Sequence, residues 1–153
     1  MTDPAILTVS TTPELRGSTT VPGDKSISHR AAMFAALAPG DSAIRGWLPA
    51  GDTLATLGAI RALGVPVEQP DPATLLVQGG ELRPPCGPLY LDNAGTGLRL
   101  LAGILAGQPF ASTLDGSEQL RRRPMRRLTE PLRLMGARVT DRNGLPPLHF
   151  EPA

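Results

Sequence analysis

An internal repeat is the feature of this sequence that most limits the folds open to it. Segment 61–67, RALGVPV, lines up with segment 133–139, RLMGARV, at a spacing of 72 residues (Gly64 to Gly136). The dipeptide Leu37-Ala38 recurs at 105–106, at a spacing of 68 residues. Two copies of one supersecondary unit are the economical explanation of such self-similarity.

Apolar periodicity and turn residues predict the same order of elements in both copies. In the first copy a helix and a strand precede a second helix and two strands, at 25–38, 43–48, 52–63, 66–68 and 74–78. Asp52 and Gly64 are suitable as the N-cap and the C′ residue of the second helix. The second copy repeats the order behind a strand at 89–91, with helices at 94–106 and 124–135, strands at 111–114, 138–140 and 148–151, and a turn at Asn143-Gly144.

The predicted fold class is therefore α/β, of the α+β type. Residues 1–20 form a leading strand (5–10) and a polar connection, residues 21–82 a first βαβαββ-like unit, and residues 83–153 a second one. The Pro/Gly-rich stretch 83–88 marks the boundary between the two units.

Composition excludes several classes of protein. A 41% hydrophobic content, 19% charged residues and a net charge of +1 exclude a basic nucleic-acid tail and an acidic disordered segment, and 3% aromatic residues argue against base stacking. Cys86 is the only cysteine, so an internal disulfide is impossible and a reducing cytoplasm is the expected location. The N-terminus lacks a basic stretch followed by an apolar one, and the longest apolar run contains Arg99. We expect neither a signal peptide nor a membrane span.

The turn Pro22-Gly23 leads directly into the first helix, whose apolar positions are Ile27, Ala31, Phe34, Ala35, Leu37 and Ala38. Asp24 or Ser26 can cap this helix, and Ser26 and Arg30 lie on one face of it. With Lys25 they combine a helix N-terminus, a hydroxyl and two cations, which suits a phosphate or carboxylate. The alternative is a capped amphipathic helix with solvated charges. A nucleotide P-loop is excluded because Asp24, not glycine, precedes Lys25.

The loop that opens the second copy has a similar character. Asn93, Gly95, Thr96 and Arg99 stand at a strand-to-helix turn, where Asn93 or Thr96 can cap and glycine lets a ligand approach backbone N–H groups. A glycine turn needed only for chain reversal is the alternative. Because a cation accompanies the loop in both copies, we favour a shared anion site.

A basic cluster, 121–127, forms the third element. Pro124 suits the first position of a helix, which would place Arg123 at the helix start with its side chain free to reach a ligand. The alternatives are solvated surface arginines or a non-catalytic anion-binding module that meets a nucleic-acid phosphate backbone.

Three motifs in this order, PGDKSISHRA, LDNAGTGLRLLAG and DGSEQLRRRPM, resemble the amino-terminal signatures of the EPSP synthase (3-phosphoshikimate 1-carboxyvinyltransferase) family. The resemblance extends from about Val9 onward. It implies an enolpyruvyl transferase fold of repeated βαβαββ units in two lobes. It also implies transfer of the enolpyruvyl group of phosphoenolpyruvate to the 5-hydroxyl of shikimate 3-phosphate, with release of phosphate, in aromatic amino-acid biosynthesis. Members of the family use no metal or organic cofactor and are usually monomeric.

The resemblance also assigns roles to residues of the three motifs. Lys25 is the expected catalytic residue and would contact both substrates. The other assignments are Ser26 and Arg30 to shikimate 3-phosphate, Asn93, Gly95 and Arg123 to phosphoenolpyruvate, and Thr96 and Arg99 to supporting roles.

This sequence departs from the family pattern in the second motif and in length. Leu100 replaces a common proline and Gly97-Leu98 a common alanine-methionine pair, which bears on loop rigidity and inhibitor sensitivity. Family members are much longer, so we interpret the chain as an amino-terminal portion with two of six units and a leading strand of the other lobe. We expect weak binding, no turnover by this chain alone, and self-association through apolar surface left by an incomplete repeat array.

The nearest alternative is the enolpyruvyl transferase that acts on UDP-N-acetylglucosamine. That enzyme carries a reactive cysteine where this sequence has Ser117-Glu118, and Cys86 is far away, so we favour the shikimate substrate. A regulatory fragment that docks on a full-length partner is a further alternative. His29 is interpreted as a polar neighbour of Arg30, with no assigned role.

Overall fold

The computed structural model of the protein describes residues 6–11, 14 and 16–153. The described helices and strands are, in chain order, α1 (Lys25–Leu37), β1 (Gly40–Arg45), α2 (Gly51–Ala62), β2 (Val67–Asp71), β3 (Thr74–Gly79), β4 (Leu89–Tyr90), α3 (Gly95–Leu105), β5 (Ser112–Asp115), α4 (Glu118–Arg121), α5 (Arg126–Leu134), β6 (Val139–Thr140) and β7 (Leu148–Phe150). No helix of the described residues is long and apolar enough to cross a membrane.

The strands within this part of the chain form two sheets of related topology. The first has the order β1-β3-β2 and is antiparallel throughout. The second has the order β4-β5-β7-β6, in which β4 and β5 are parallel and the other pairs antiparallel. Because β5-β7-β6 repeats the arrangement of β1-β3-β2, the predicted α/β fold with a repeated element order is confirmed.

The ends of α2 and α5 show the repeat in atomic detail. Gly64 and Gly136 follow these helices with φ angles of 84° and 97°, a left-handed conformation that glycine adopts without strain. The arginine three residues before each glycine donates to the carbonyl oxygen of the valine three residues after it, at 3.1 Å from Arg61 and 2.8 Å from Arg133. The self-similar heptapeptides therefore encode the same helix-to-strand turn.

One hydrophobic core is shared by both units. Helix α2 contacts α1 in its own unit, and α3 and β4 in the other. Trp47, Leu57 and Leu98 are almost fully buried in this core. Burying each such side chain contributes about 1.5–3 kcal/mol, so the two units stabilise each other.

Helix α1 buries a different face from the one predicted. The apolar residues Ile27 and Phe34 are 59% and 67% exposed. The buried face consists of three alanines, two polar residues and one methionine: Ala32, Ala35, Ala36, Ser28, His29 and Met33. The close approach of the first sheet explains this reversal, because a Cβ atom at Gly79 would lie 1.9 Å from the carbonyl oxygen of Ala35. At this closest approach the helix therefore carries a small residue, Ala35.

The predicted leading strand is wrong in its described part. Residues 6–10 form no strand, and Ile6, Leu7 and Val9 are all more than four-fifths exposed. A strand requires a neighbour for its N–H and C=O groups, and no strand in the described ranges lies beside this segment. Residues 1–5, 12, 13 and 15, which include the start of that predicted strand, lie outside the described residues.

Several boundaries also differ from prediction, and three of them affect the site or its neighbours. Strand β1 covers 40–45 and ends before Gly46, which has a φ of 72°. The N-cap of α2 is Ala50, so Asp52 lies in the first turn instead of capping it. The predicted helix 124–135 is preceded by the separate α4 and begins at Arg126 after the N-cap Met125.

Candidate functional site

The first turn of α1 is fixed to the segment that follows β1. The Asp24 carboxylate accepts a hydrogen bond from the Ile27 N–H at 2.7 Å, which confirms one of the two predicted caps. The Ser28 hydroxyl donates to the Asp24 carbonyl at 2.7 Å and accepts from the Leu48 N–H at 3.0 Å. A Cβ atom at Gly23 would lie 1.9 Å from the Gly46 carbonyl oxygen, so only glycine permits this packing.

Lys25, Ser26 and Arg30 project polar groups from this turn. The Lys25 ammonium pairs with the Asp52 carboxylate at 3.0 Å, and the Lys25 side chain is 49% exposed. Ser26 is half-buried and Arg30 is exposed. Neither the Ser26 hydroxyl nor the Arg30 guanidinium has a hydrogen-bond partner among the described residues. This group, hereafter the α1 group (Lys25, Ser26 and Arg30), can therefore donate to an anion without breaking more than one exposed ion pair.

The second loop brings two arginines to one glycine. Arg123 donates to the Asn93 side-chain oxygen at 2.8 Å, and Arg99 donates to the Gly95 carbonyl at 3.0 Å. A Cβ atom at Gly95 would lie 2.6 Å from a terminal nitrogen of Arg123 and 2.9 Å from one of Arg99. Two guanidiniums thus converge on the Gly95 α-carbon. We call Asn93, Gly95, Arg99 and Arg123 the α3 group.

Helix α3 begins without a side-chain cap from any described residue, and its N-cap is Ala94. The predicted caps, Asn93 and Thr96, are therefore wrong. The Asn93 amide is engaged by Arg123 on its oxygen and by Gln119 at 2.9 Å on its nitrogen. Thr96 already lies inside the first helical turn. The Gly95 N–H donates to the Asn93 carbonyl oxygen at 2.8 Å. The positive end of the helix dipole stands beside two guanidiniums, which is favourable for a bound anion.

The loop before α3 holds a strained residue. Asp92 has a φ of 46°, in the left-handed region that L-residues seldom adopt. Its carbonyl oxygen accepts from the Ser117 N–H at 2.7 Å, which ties the loop to the segment leading into α4. Strain of this kind, roughly 1–3 kcal/mol, persists where surrounding contacts over-determine the backbone, as at ligand sites.

The basic cluster 121–127 is not one continuous charged surface. Arg121 makes two hydrogen bonds to the nearly buried Asp115 carboxylate, at 2.8 and 2.5 Å, and thereby holds the pKa of Asp115 below its usual value against the effect of burial. Arg122 pairs with Glu118. Arg123 follows α4 and turns back to Asn93, so its predicted place at the start of a helix is wrong although its side chain does reach the second loop.

Sequence reasoning missed a junction between the three helices. His29 is 1% exposed, and its Nδ1 lies 2.8 Å from the Thr56 hydroxyl. Burial lowers the pKa of His29, with a smaller opposing effect from the Asp52 carboxylate and a further lowering by the Lys25 ammonium. His29 is thus not a polar surface neighbour of Arg30. No local signal in the sequence indicates this contact, because Thr56 is 27 residues away.

Three cavities of the described residues lie away from both groups. The first, of about 390 Å³, is lined by residues 41–43, 66, 68 and 76–78. The second, of about 380 Å³, is lined by 64–66 and 78–83, and the third, of about 340 Å³, by 85–88, 111–113 and 149–150. None of these three includes a residue predicted for the site. We assign the site to the α1 and α3 groups because converging donors and positive charge recognise an anion, whereas the three cavities carry little of either.

The known proteins compared with this chain, by sequence and by structure, are described as the same enzyme. Residues 9–152 match the family EPSP synthase (3-phosphoshikimate 1-carboxyvinyltransferase). The chain is similar to the 3-phosphoshikimate 1-carboxyvinyltransferases of Xanthomonas campestris pv. campestris, at 54% identity over 138 residues, and of Methylococcus capsulatus, at 51% over 140 residues. These alignments cover 88% and 89% of this chain and 32% of each relative.

A solved structure of EPSP synthase from Acinetobacter baumannii superimposes on the chain with a TM-score of 0.84 at 45% sequence identity. The superposition covers 88% of this chain and 32% of the Acinetobacter baumannii chain. The chain thus spans about a third of the length of the relatives it matches. Its sequence and fold show that the chain belongs to the EPSP synthase (3-phosphoshikimate 1-carboxyvinyltransferase) family.

Proposed function

We propose that this chain supplies one wall of the active site of a 3-phosphoshikimate 1-carboxyvinyltransferase. The α1 group binds shikimate 3-phosphate, and the α3 group binds phosphoenolpyruvate. Lys25, at the start of α1, contacts both substrates, and Thr96 supports the second loop. The observation that carries the proposal is the convergence of Arg99 and Arg123 on Gly95 at the uncapped end of α3.

The charges suit the proposed reaction. Both substrates are polyanions that repel each other, so bringing the 5-hydroxyl to the enol carbon requires dense positive charge at fixed positions. The α3 group offers a backbone N-terminus and two guanidiniums to one anion. The α1 group offers an ammonium, a hydroxyl and a guanidinium to another. As phosphate leaves the tetrahedral adduct, the same donors would stabilise the negative charge that it carries away.

Complementation tests this proposal directly. The purified chain is mixed with a fragment of the Xanthomonas campestris relative that lacks the matched 138-residue segment, and phosphate release from both substrates is measured. We expect turnover from the mixture and none from either part alone. A mixture shown by sedimentation to associate, yet without turnover, would contradict the proposal, as would turnover that survives Arg123→Gln in this chain.

The chemistry of the loops also favours the shikimate substrate over UDP-N-acetylglucosamine. The segment before the Arg123-Pro124 pair carries Ser117 and Glu118. Neither residue has a thiol, and both have structural partners, since Ser117 caps α4 and Glu118 pairs with Arg122. A competition titration with UDP-N-acetylglucosamine, in which that compound displaced shikimate 3-phosphate, would reverse this preference.

We also propose that the isolated chain self-associates, and that it resides in the cytoplasm. The exposed apolar residues of α1, Ile27 and Phe34, support self-association. The single cysteine, Cys86, is exposed and unpaired, as is usual in a reducing compartment. Sedimentation of the wild type and of Phe34→Glu tests the first point, and a monomer at all concentrations would contradict it.

A further inference from the structure

Three helices meet at one small cluster of residues behind the candidate site. His29 of α1 and Thr56 of α2 are each 1% exposed, and their Nδ1 and hydroxyl oxygen are 2.8 Å apart. Gly97 of α3 closes the cluster. A Cβ atom at Gly97 would lie 2.3 Å from the Thr56 hydroxyl oxygen and 3.4 Å from Cε1 of His29.

The hydrogen bonds of the cluster form a chain from His29 through Thr56 to the Asp52 carbonyl oxygen. The Thr56 hydroxyl lies 3.3 Å from the Asp52 carbonyl oxygen, one turn earlier in α2. If His29 donates from Nδ1 to Thr56, and Thr56 donates to that carbonyl, every donor of the two side chains is used. The remaining ring atom, Nε2, is buried and has no hydrogen-bond partner in the described part of the chain. A neutral imidazole therefore fits this position, whereas a protonated ring would carry an unsatisfied N–H.

The cluster lies one helical turn below the charged residues of the site. Lys25 precedes His29 by four residues, and Asp52 precedes Thr56 by four, so each pair shares a helix face. The Lys25–Asp52 ion pair, at 3.0 Å, and the His29–Thr56 contact form two successive cross-links between α1 and α2. Gly97 lies two residues after Gly95 in α3.

We propose that His29, Thr56 and Gly97 form a positioning cluster that sets the spacing between the α1 group and the α3 group. The inference rests on the proposed function, because it assigns to these residues the task of holding the two anion-binding groups in register. None of the three is a catalytic residue. They act through the helices on which Lys25 and Gly95 stand.

Two physical properties make the cluster sensitive. Its packing leaves no room at Gly97, so an added methyl group must push α3 away from α2 or displace the Thr56 side chain. Its hydrogen bonding favours neutral His29, which faces the Lys25 ammonium and the Asp52 carboxylate on the site side. Burial lowers the pKa of His29, consistent with this arrangement.

The test compares Gly97→Ala with Gly103→Ala in the full 153-residue chain. Gly103 also lies in α3, but nothing lies within 4 Å of a Cβ atom at that position, so it is a matched control. Amide NMR spectra without ligand report the positions of α1 and α3, and calorimetry reports phosphoenolpyruvate affinity. Circular dichroism checks that each variant is folded.

We expect Gly97→Ala to shift the amide signals of Lys25 and Ser26 across the junction and to weaken phosphoenolpyruvate binding about tenfold, because overpacking moves backbone. Adding Thr56→Ala, which removes the clashing hydroxyl but also the partner of His29, should restore part of the lost affinity. Gly103→Ala should change neither signal. Amide changes confined to the neighbours of Gly97, or a loss that Thr56→Ala leaves unrelieved, would overturn the proposal.

A second measurement needs no variant. In the wild-type chain, the amide signals of Thr96 and Gly97 should follow the titration of the His29 ring with a midpoint below pH 6.5, the ordinary pKa of histidine. Amide signals of Thr96 and Gly97 that do not change as His29 titrates would contradict the proposed coupling between His29 and α3. If the wild-type chain binds no phosphoenolpyruvate while both NMR results hold, the proposed function fails and the positioning cluster stands.

Discussion

Helices α1 and α3 each open a repeat unit, but their N-termini offer different groups to an anion. Helix α1 is capped by the Asp24 carboxylate of its own chain, and its cations stand on the side-chain surface. Helix α3 has no side-chain cap among the described residues. Its Gly95 N–H donates to the Asn93 carbonyl oxygen at 2.8 Å, and its first turn lies beside Arg99 and Arg123. A repeated fold therefore supports two modes of anion recognition, one by side chains and the other by backbone together with guanidiniums.

This contrast has an energetic consequence. The Lys25 side chain is about half exposed and already paired with Asp52, so its attraction for an anion is screened by water and salt. Arg123 is half-buried and oriented by Asn93, so a hydrogen bond from it to an anion is charge-assisted and pre-organised. Phosphoenolpyruvate binding at α3 should therefore depend less on salt than shikimate 3-phosphate binding at α1.

The largest expected effect comes from Arg123→Gln. The variant loses one guanidinium of the α3 group, and charged hydrogen bonds contribute about 1.5–3 kcal/mol each, so phosphoenolpyruvate affinity should fall about 10- to 100-fold. Arg127→Gln is the control, because Arg127 is exposed and has no ion-pair partner within the described ranges. Calorimetric titration of both variants decides the matter. Equal affinities in the two would refute the assignment of Arg123.

A smaller loss should follow from Gly95→Ala. The new Cβ atom would stand 2.6 and 2.9 Å from the flexible ends of Arg123 and Arg99, which must move outward. Folding should survive, since only side-chain ends are displaced, while phosphoenolpyruvate affinity drops about tenfold. Thermal unfolding and calorimetry together separate the two effects. A melting temperature that collapses with the affinity would mean that Gly95 has a purely structural role.

Asp24→Ala tests the capped helix, α1. Removing the N-cap carboxylate should lower the free energy of unfolding by about 1 kcal/mol, because the Ile27 N–H loses its partner. Asn93→Ala, at the uncapped helix, should weaken phosphoenolpyruvate binding through Arg123 and cost less helix stability. Urea unfolding of the two variants measures the difference. A larger stability loss for Asn93→Ala would remove the contrast between the helices.

The smallest effect concerns pH. Burial lowers the pKa of His29 from its ordinary value of 6.5, so the unfolded chain binds more protons than the folded one just below that pH. The free energy of unfolding should therefore decrease as pH falls through 6.5, by about 1 kcal/mol or less at pH 5.5. His29→Asn should flatten this dependence. Urea midpoints across pH 5.5–7.5 test it, and an unchanged slope in the variant would assign the effect to another group.

Local patterns predicted much of the fold. The capped start of α1, the glycine ends of α2 and α5, and the repeated element order all follow from residues within a few positions of one another. The same holds for the second loop, where glycines and arginines are close in sequence. These features were predictable because short-range sterics and hydrogen bonds decide them.

Long-range packing was not predictable from those patterns. His29 and Thr56 are 27 residues apart, and nothing in their local sequence indicates that they meet. The exposed stripe of α1 misled the core prediction, because hydrophobic periodicity does not tell which apolar face a neighbour will cover. Similarly, Pro124 indicated a helix start, but the short α4 placed Arg123 by way of Asn93 instead.

The most direct test of the account is a titration of the chain with shikimate 3-phosphate, followed by the fluorescence of Trp47. Trp47 is the only tryptophan, and its neighbours Gly46 and Leu48 abut the first turn of α1. The account predicts saturable binding that weakens with added salt and disappears in Lys25→Met, while that variant remains folded by circular dichroism. Undiminished binding in Lys25→Met would contradict it, as would no binding by the folded wild-type chain.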